Sequence, residues 1–273
     1  MPSAKSCVEE QLLHNNHFTD SLQSSILHFS LNKSATQYVR DILIMVAKEN
    51  NLTHAGLNEY AFNSTIPFLD HLSFVEMERY KHVFKPKGYL YSVFGGYVQN
   101  IENFDEYRVL LMVRDPRDIL VSMYYSMSLS HSLPDEQSNK RNDFLLARER
   151  SRSISIDEFV VENAKKLSRS LFQYRHLQQE NFTNVLVSSY EEMMNDFKTW
   201  LTKVTLHLEL SVSDDLFNRI IDTHIDLQPL KENLNAHIRN AKAGDYNLKL
   251  KTETIEQLNT IFKRDLEIFG YRV

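Results

Sequence analysis

The chain has 273 residues, 42% hydrophobic and 25% charged, with a formal net charge of −5; this suits one large α/β domain or two small ones and disfavours broad nucleic-acid binding. Its single cysteine, Cys7, excludes an internal disulfide, and no apolar run approaches the roughly 18 residues that suggest a transmembrane helix. The opening stretch, MPSAKSCVEEQLLHNNHF, lacks the apolar core of a secretory signal, so a cytoplasmic protein is the simplest expectation.

In chain order, Ser25 to Leu31 predicts a first strand. Ser34 to Asn50 predicts the helix after it, with Tyr38, Val39, Ile42, Leu43 and Val46 at helical spacing. Ser73-Phe74-Val75-Glu76 is a capping-box pattern at the start of a helical stretch to Tyr80, and His82 to Phe84 predicts a second strand. Leu110 to Val113 predicts a buried strand, followed at once by Asp115 as an N-cap and Pro116 at the first helical position. Residues 131–153 are dense in charge and lack a sustained apolar period; they read either as a lid or as a solvated loop with one short helix. Ser155 to Glu158 is another capping box, opening a helix to about Gln179, and Asn184 to Ser188 is a further strand. Helical stretches follow near Glu191 to Leu208, Ser213 to Ile225 and Thr252 to Phe269. Strands alternating with helices predict an α/β fold: a single domain over residues 1–273 with a central, mostly parallel sheet flanked by helices.

Two strand-to-helix junctions carry candidate chemistry. At the first, Ser30 to Tyr38, Lys33 is placed to reach an anion over a helix start, and Ser34, Thr36 and backbone amides can surround a phosphate. The turn has none of the glycines that a nucleoside-triphosphate P-loop needs. At the second, Arg114 sits where strand gives way to helix, and Ser122, four residues beyond Asp118, can add a hydroxyl.

These segments resemble the sulfotransferases that use 3′-phosphoadenosine 5′-phosphosulfate (PAPS). Asn32 to Tyr38, NKSATQY, is similar to the family's PKSGTTW turn, which binds the 5′-phosphosulfate. Lys33, Ser34 and Thr36 are kept, while Ala35, Gln37 and Tyr38 stand for glycine, threonine and tryptophan. Arg114-Asp115-Pro116-Arg117-Asp118 with Val121-Ser122 resembles the 3′-phosphate segment, R-N-P-[KR]-D followed by V-S. Tyr190 resembles the tyrosine on the adenine side, and Arg239 to Tyr246 the late segment R-K-G-x-x-G-D-W, with Asn240 and Ala241 departing from it. The resemblance implies a P-loop-like topology and sulfuryl transfer to a hydroxyl or amine of a small-molecule or lipid acceptor, releasing adenosine 3′,5′-bisphosphate (PAP) without a metal. It implies a cofactor site of Lys33, Ser34, Ala35, Thr36, Gln37, Tyr38, Arg114, Ser122, Tyr190, Arg239, Asn240 and Ala241. Plain structural readings stand beside it: Arg114 as a salt-bridge partner of Asp118, Tyr190 as a core aromatic, and residues 239–246 as a helix exit closed by Gly244.

For catalysis, Lys33 is the candidate for neutralising charge on the leaving phosphate. The family's base lies in a K-T-H segment after the second strand; Lys85 fits its lysine, and His82, His71 or a carboxylate such as Glu76 stand as substitutes for the histidine. Tyr89, Tyr91, Phe94 and Tyr97 read equally as an acceptor wall or as core. Acceptor specificity is expected in the loops at residues 51–67 and 131–153. The alternatives are a small-molecule P-loop kinase and a non-catalytic nucleotide-binding scaffold; oligomeric state is open.

Overall fold

The computed structural model describes residues 7–130, 133–180, 182–226 and 243–273. Five runs form strands: β1 (Ile26–Ser30), β2 (Thr53–Ala55), β3 (Tyr89–Phe94), β4 (Arg108–Val113) and β5 (Val185–Ser189). They make one sheet in the order β2-β3-β1-β4-β5, every neighbouring pair parallel. All of β1 and nearly all of β3 and β4 are buried, as expected of parallel strands covered on both faces.

The helices are α1 (Val8–Leu13), α2 (Thr36–Glu49), α3 (Leu57–Phe62), α4 (Phe74–Met77), α5 (Pro116–Tyr125), α6 (Arg141–Ser153), α7 (Ile156–Gln179), α8 (Tyr190–Asn195), α9 (Phe197–His207), α10 (Asp214–Asp226), α11 (Tyr246–Lys249) and α12 (Thr252–Phe269). Two cores sandwich the sheet. Leu120 of α5, Leu171 of α7 and Phe262 of α12 pack with Phe29 and Leu111 on one face; Ile42 of α2, Trp200 of α9 and Ile220 of α10 pack with Ile26 and Leu110 on the other. The alternation along β4, Val109 and Leu111 to one side and Leu110 and Met112 to the other, is the two-residue period of a strand.

The predicted capping boxes form at Ser73–Glu76 and Ser155–Glu158, and Asp115 caps α5 by accepting the Arg117 amide. Three expectations are corrected. His82 to Phe84 is not a strand: Lys81–Val83 is a 3₁₀ turn, and Pro86, with no amide to donate, separates it from β3. Of the aromatic run read as pocket wall or core, Tyr89, Tyr91 and Phe94 are not wall but core, fully buried in β3, and Tyr97 lies beyond that strand. The stretch from Glu191 to Leu208 is two helices, divided at Asp196, whose carboxylate accepts the Thr199 amide and starts α9.

The chain leaves β1 through α2 onto one face and leaves β4 through α5 onto the other. That divergence opens a crevice beyond the carboxyl ends of β1 and β4, the position where open α/β sheets bind ligands.

Candidate active site

The β1–α2 turn lies at one wall of this crevice. Lys33 has φ +73° and Ala35, the residue before α2, has φ +59°, so the turn uses the left-handed region twice without glycine. No side chain caps α2, whereas Asp115 caps α5 and Ser155 caps α7; its first amides are left for another acceptor. Ser34 is fully buried and its Oγ has no hydrogen-bond partner. Thr36 Oγ1 donates to the Leu31 carbonyl at 3.1 Å, tying the turn to β1. A buried hydroxyl without a partner, beside an uncapped helix start and a lysine, fits a bound phosphate or sulfate oxygen.

The opposite wall is the β4–α5 junction. Arg114 is buried, donates from Nη1 to the Lys33 carbonyl at 2.8 Å, and lies 4.1 Å from the centre of the Tyr190 ring. It therefore braces the β1–α2 turn while its charge stays at the crevice. Its Nη2 is 3.9 Å from Asp118, the pairing that spacing suggested. Asp118 has closer partners in the Gly244 and Tyr246 amides, at 2.7 and 2.9 Å, so it fixes the C-terminal end of the late segment. Burial raises the Asp118 carboxyl above its ordinary pKa, opposed by Arg114 and by those amides.

Lys33 Nζ donates to Ser126 Oγ at 2.9 Å, at the end of α5. Asp118, Ser122 and Ser126 are spaced four apart, so they form one stripe along α5, with Arg114 near one end and the Lys33 amine at the other. Ser122 thus stands between the two cations. Burial, and next the Arg114 charge, lower the Lys33 amine to about 8.

Tyr38 is half-buried, donates to or accepts from His224 Nδ1 at 2.9 Å, and packs on Phe197, which stacks on the His224 ring at 3.7 Å. Gln37 is exposed. Tyr190 is buried as a core aromatic, and its ring meets the Arg114 guanidinium. Arg117 of the motif turns away from the crevice: it chelates Asp115, donates to Asn259 and the Arg272 carbonyl, and covers the Tyr246 ring. Arg239, Asn240, Ala241 and Lys242 lie outside the described residues.

The structure does not bring the candidate base to this crevice. His82 Nε2 meets the Leu13 carbonyl at 3.0 Å, and Lys85 Nζ meets Asn15 Oδ1 at 2.6 Å. Both precede β3, at the amino ends of the parallel strands, across the sheet from Lys33. His71 is exposed against the Phe68 ring, and Glu76 is engaged by Ser73 in the α4 capping box. The segment that continues β3 toward Lys33 is Gly95-Gly96, where a Cβ on Gly95 would stand 3.2 Å from Asn32 Oδ1.

The two loops expected to set specificity meet. Lys140 Nζ donates to the carbonyls of Ala61, Ser64 and Ile66, Ser138 Oγ donates to that of Phe62, and Phe144 packs edge-on against Phe62. Residues 141–153 are the helix α6, which Arg148 and Arg152 tie to the Met127 and Ser128 carbonyls. The charge-rich sequence hid this helix because its contacts are mostly polar.

An uncapped helix start, an orphaned hydroxyl, a buried arginine and a half-buried lysine at a topological switch point suit an extended anionic ligand. The sulfotransferase domain family matches residues 23–270, and the chain belongs to that family. Among solved structures, mouse sulfotransferase SULT7A1 complexed with PAP is 19% identical, with a TM-score of 0.59, over 94% of this chain and 90% of that one. Retinol dehydratase in a complex with retinol and PAP is 15% identical, with a TM-score of 0.50, over 92% of this chain and 84% of that one. These likenesses establish the shared fold. Comparison with curated proteins gives no match. Among the described residues, no group of three or more His, Cys, Asp or Glu side chains is placed to hold a metal, and no helix is long and apolar enough to cross a membrane.

Proposed function

We propose that this chain transfers a sulfuryl group from PAPS to a hydroxyl or amine of a small-molecule or lipid acceptor, in the cytoplasm, and releases PAP. The observation that carries this reading is the pairing of Lys33 and Arg114 across the crevice, with Ser122 on the stripe between them. The donor supplies a sulfur already activated by its bond to a phosphate oxygen. Ser34 Oγ and the first amides of α2 hold the phosphosulfate end, where the Lys33 ammonium offsets charge accumulating on the leaving phosphate. Arg114 and Ser122 hold the 3′-phosphate, whose binding energy orients the reacting centre from a distance. Tyr190 and Tyr38 border the adenine side, and Asp118 holds the Gly244 and Tyr246 amides.

The test is a transfer assay with radiolabelled PAPS against alcohols, phenols and amines. Labelled product from the wild type, lost about 100-fold in Lys33→Ala with PAP affinity changed less than about tenfold, supports the assignment. Undiminished turnover in Lys33→Ala contradicts the role of that amine. Tight PAP binding with no transfer to any acceptor class favours the scaffold reading.

A further inference from the structure

With His82 and Lys85 at the amino end of the sheet, the acceptor's proton needs another destination. Buried side chains at the carboxyl end of β3 supply one. Asp70, in the turn Leu69–His71, is buried, and its Oδ2 accepts from Asn58 Nδ2 and from the Gly96 amide, both at 2.8 Å. Its other oxygen, Oδ1, is buried with no hydrogen-bond partner. Two further polar atoms nearby share that condition: Asn58 Oδ1 and the Tyr174 hydroxyl, which is buried and whose ionisation is opposed first by burial and then by the Asp70 charge. Buried polar atoms are nearly always paired, so three together point to a polar group that occupies the space between them.

The place is on the correct side of the sheet. Gly96 follows Gly95, which packs on Asn32, and Asn32 adjoins Lys33. Tyr174 packs on Phe29 and Tyr97, on the α5 and α7 face, and Lys33 reaches Ser126 at the end of α5. By contrast, the buried His28 Nε2, also without a hydrogen-bond partner, lies on a strand position facing α2, on the opposite face.

We propose that Asp70 accepts the proton of the attacking acceptor hydroxyl, which Tyr174 and Asn58 orient. The acceptor oxygen forms a bond to sulfur as the bond from sulfur to the phosphate oxygen breaks. The electron pair of that bond leaves with PAP, and the hydroxyl proton passes to Asp70 Oδ1. Asn58 and the Gly96 amide hold Oδ2, which aims Oδ1 at the acceptor. This assignment rests on the sulfuryl-transfer reading above.

The test compares two kinds of acceptor with PAPS in wild type and Asp70→Asn at about pH 8: alcohols, with androsterone and retinol as probes, and p-nitrophenol, which is already largely ionised. Loss of a proton acceptor lowers transfer to the alcohols by about 100-fold and leaves p-nitrophenol within about threefold, with PAP affinity unchanged by calorimetry. Asp70→Asn lowering both acceptors equally, or neither, overturns the assignment while leaving the sulfuryl-transfer reading in place. Because removal of the carboxylate can loosen the Gly96 turn, Asn58→Ala serves as a second variant. It keeps the carboxylate and lowers alcohol transfer by about tenfold with p-nitrophenol spared; equal loss for both acceptors contradicts the proposal. A wild type that transfers to neither kind overturns the sulfuryl-transfer reading and this assignment with it.

Discussion

Lys33 is held between Ser126 and the Arg114 charge, with its amine lowered to about 8. In the unfolded chain the amine keeps its proton to about pH 10.4. Between about 8 and that value the unfolded state therefore binds more protons, so this residue makes stability rise with pH across the window. Binding of PAP, whose phosphates favour the charged amine, has the opposite demand: it draws a proton in. Calorimetry near pH 8 in buffers of different ionisation enthalpy should register uptake of about half a proton, absent in Lys33→Met. Ala35 offers a second test, because its left-handed φ of +59° costs a residue with a Cβ about 1–2 kcal/mol. Ala35→Gly should stabilise the fold by roughly 0.5–1 kcal/mol after glycine's greater unfolded-state entropy is counted, measured by urea unfolding. The sequence carried Lys33, Arg114 and Ser122 plainly, because each stands at a local signal: a strand end, a cap or a helical spacing. Asp70 carried no such signal. Its partners Asn58 and Gly96 come from separate segments and meet only in the fold.

Among the elements, the β4–α5 unit was the most legible, since a buried run, an N-cap and a proline specify it within eight residues, Leu110 to Arg117. β3 was obscured because its aromatic run reads equally as a pocket wall or as core, and the nearby His82 to Phe84 drew the strand assignment instead. That shift of a few residues moved the candidate base from one end of the sheet to the other. His82→Ala and Lys85→Ala should accordingly leave kcat within about twofold in the transfer assay; a 100-fold loss in either would return the base to that segment. At α5, Asp118→Ala releases the Gly244 and Tyr246 amides, at a cost of about 2–3 kcal/mol of stability and with weaker PAP binding. The tether from α6 to residues 61–66 gives a different signature. Lys140→Ala should raise KM for an acceptor while PAP affinity holds, because the three carbonyls it gathers lie on the specificity side.

Across the whole molecule, Lys33 and Arg114 stand at the carboxyl ends of β1 and β4, and the sulfotransferase domain family spans residues 23–270. PAP at 100 times its Kd should stabilise the folded chain by about 2.7 kcal/mol, visible as a concentration-dependent rise in Tm. The proposed function requires the crevice to hold two separated phosphates, one on the Lys33 side and one on the Arg114 side. Calorimetry of the full chain against PAP, ADP and ATP measures that directly. PAP binding at least tenfold more tightly than ADP or ATP, with the preference lost in Arg114→Ala, is the predicted result; tighter binding of ATP would contradict it.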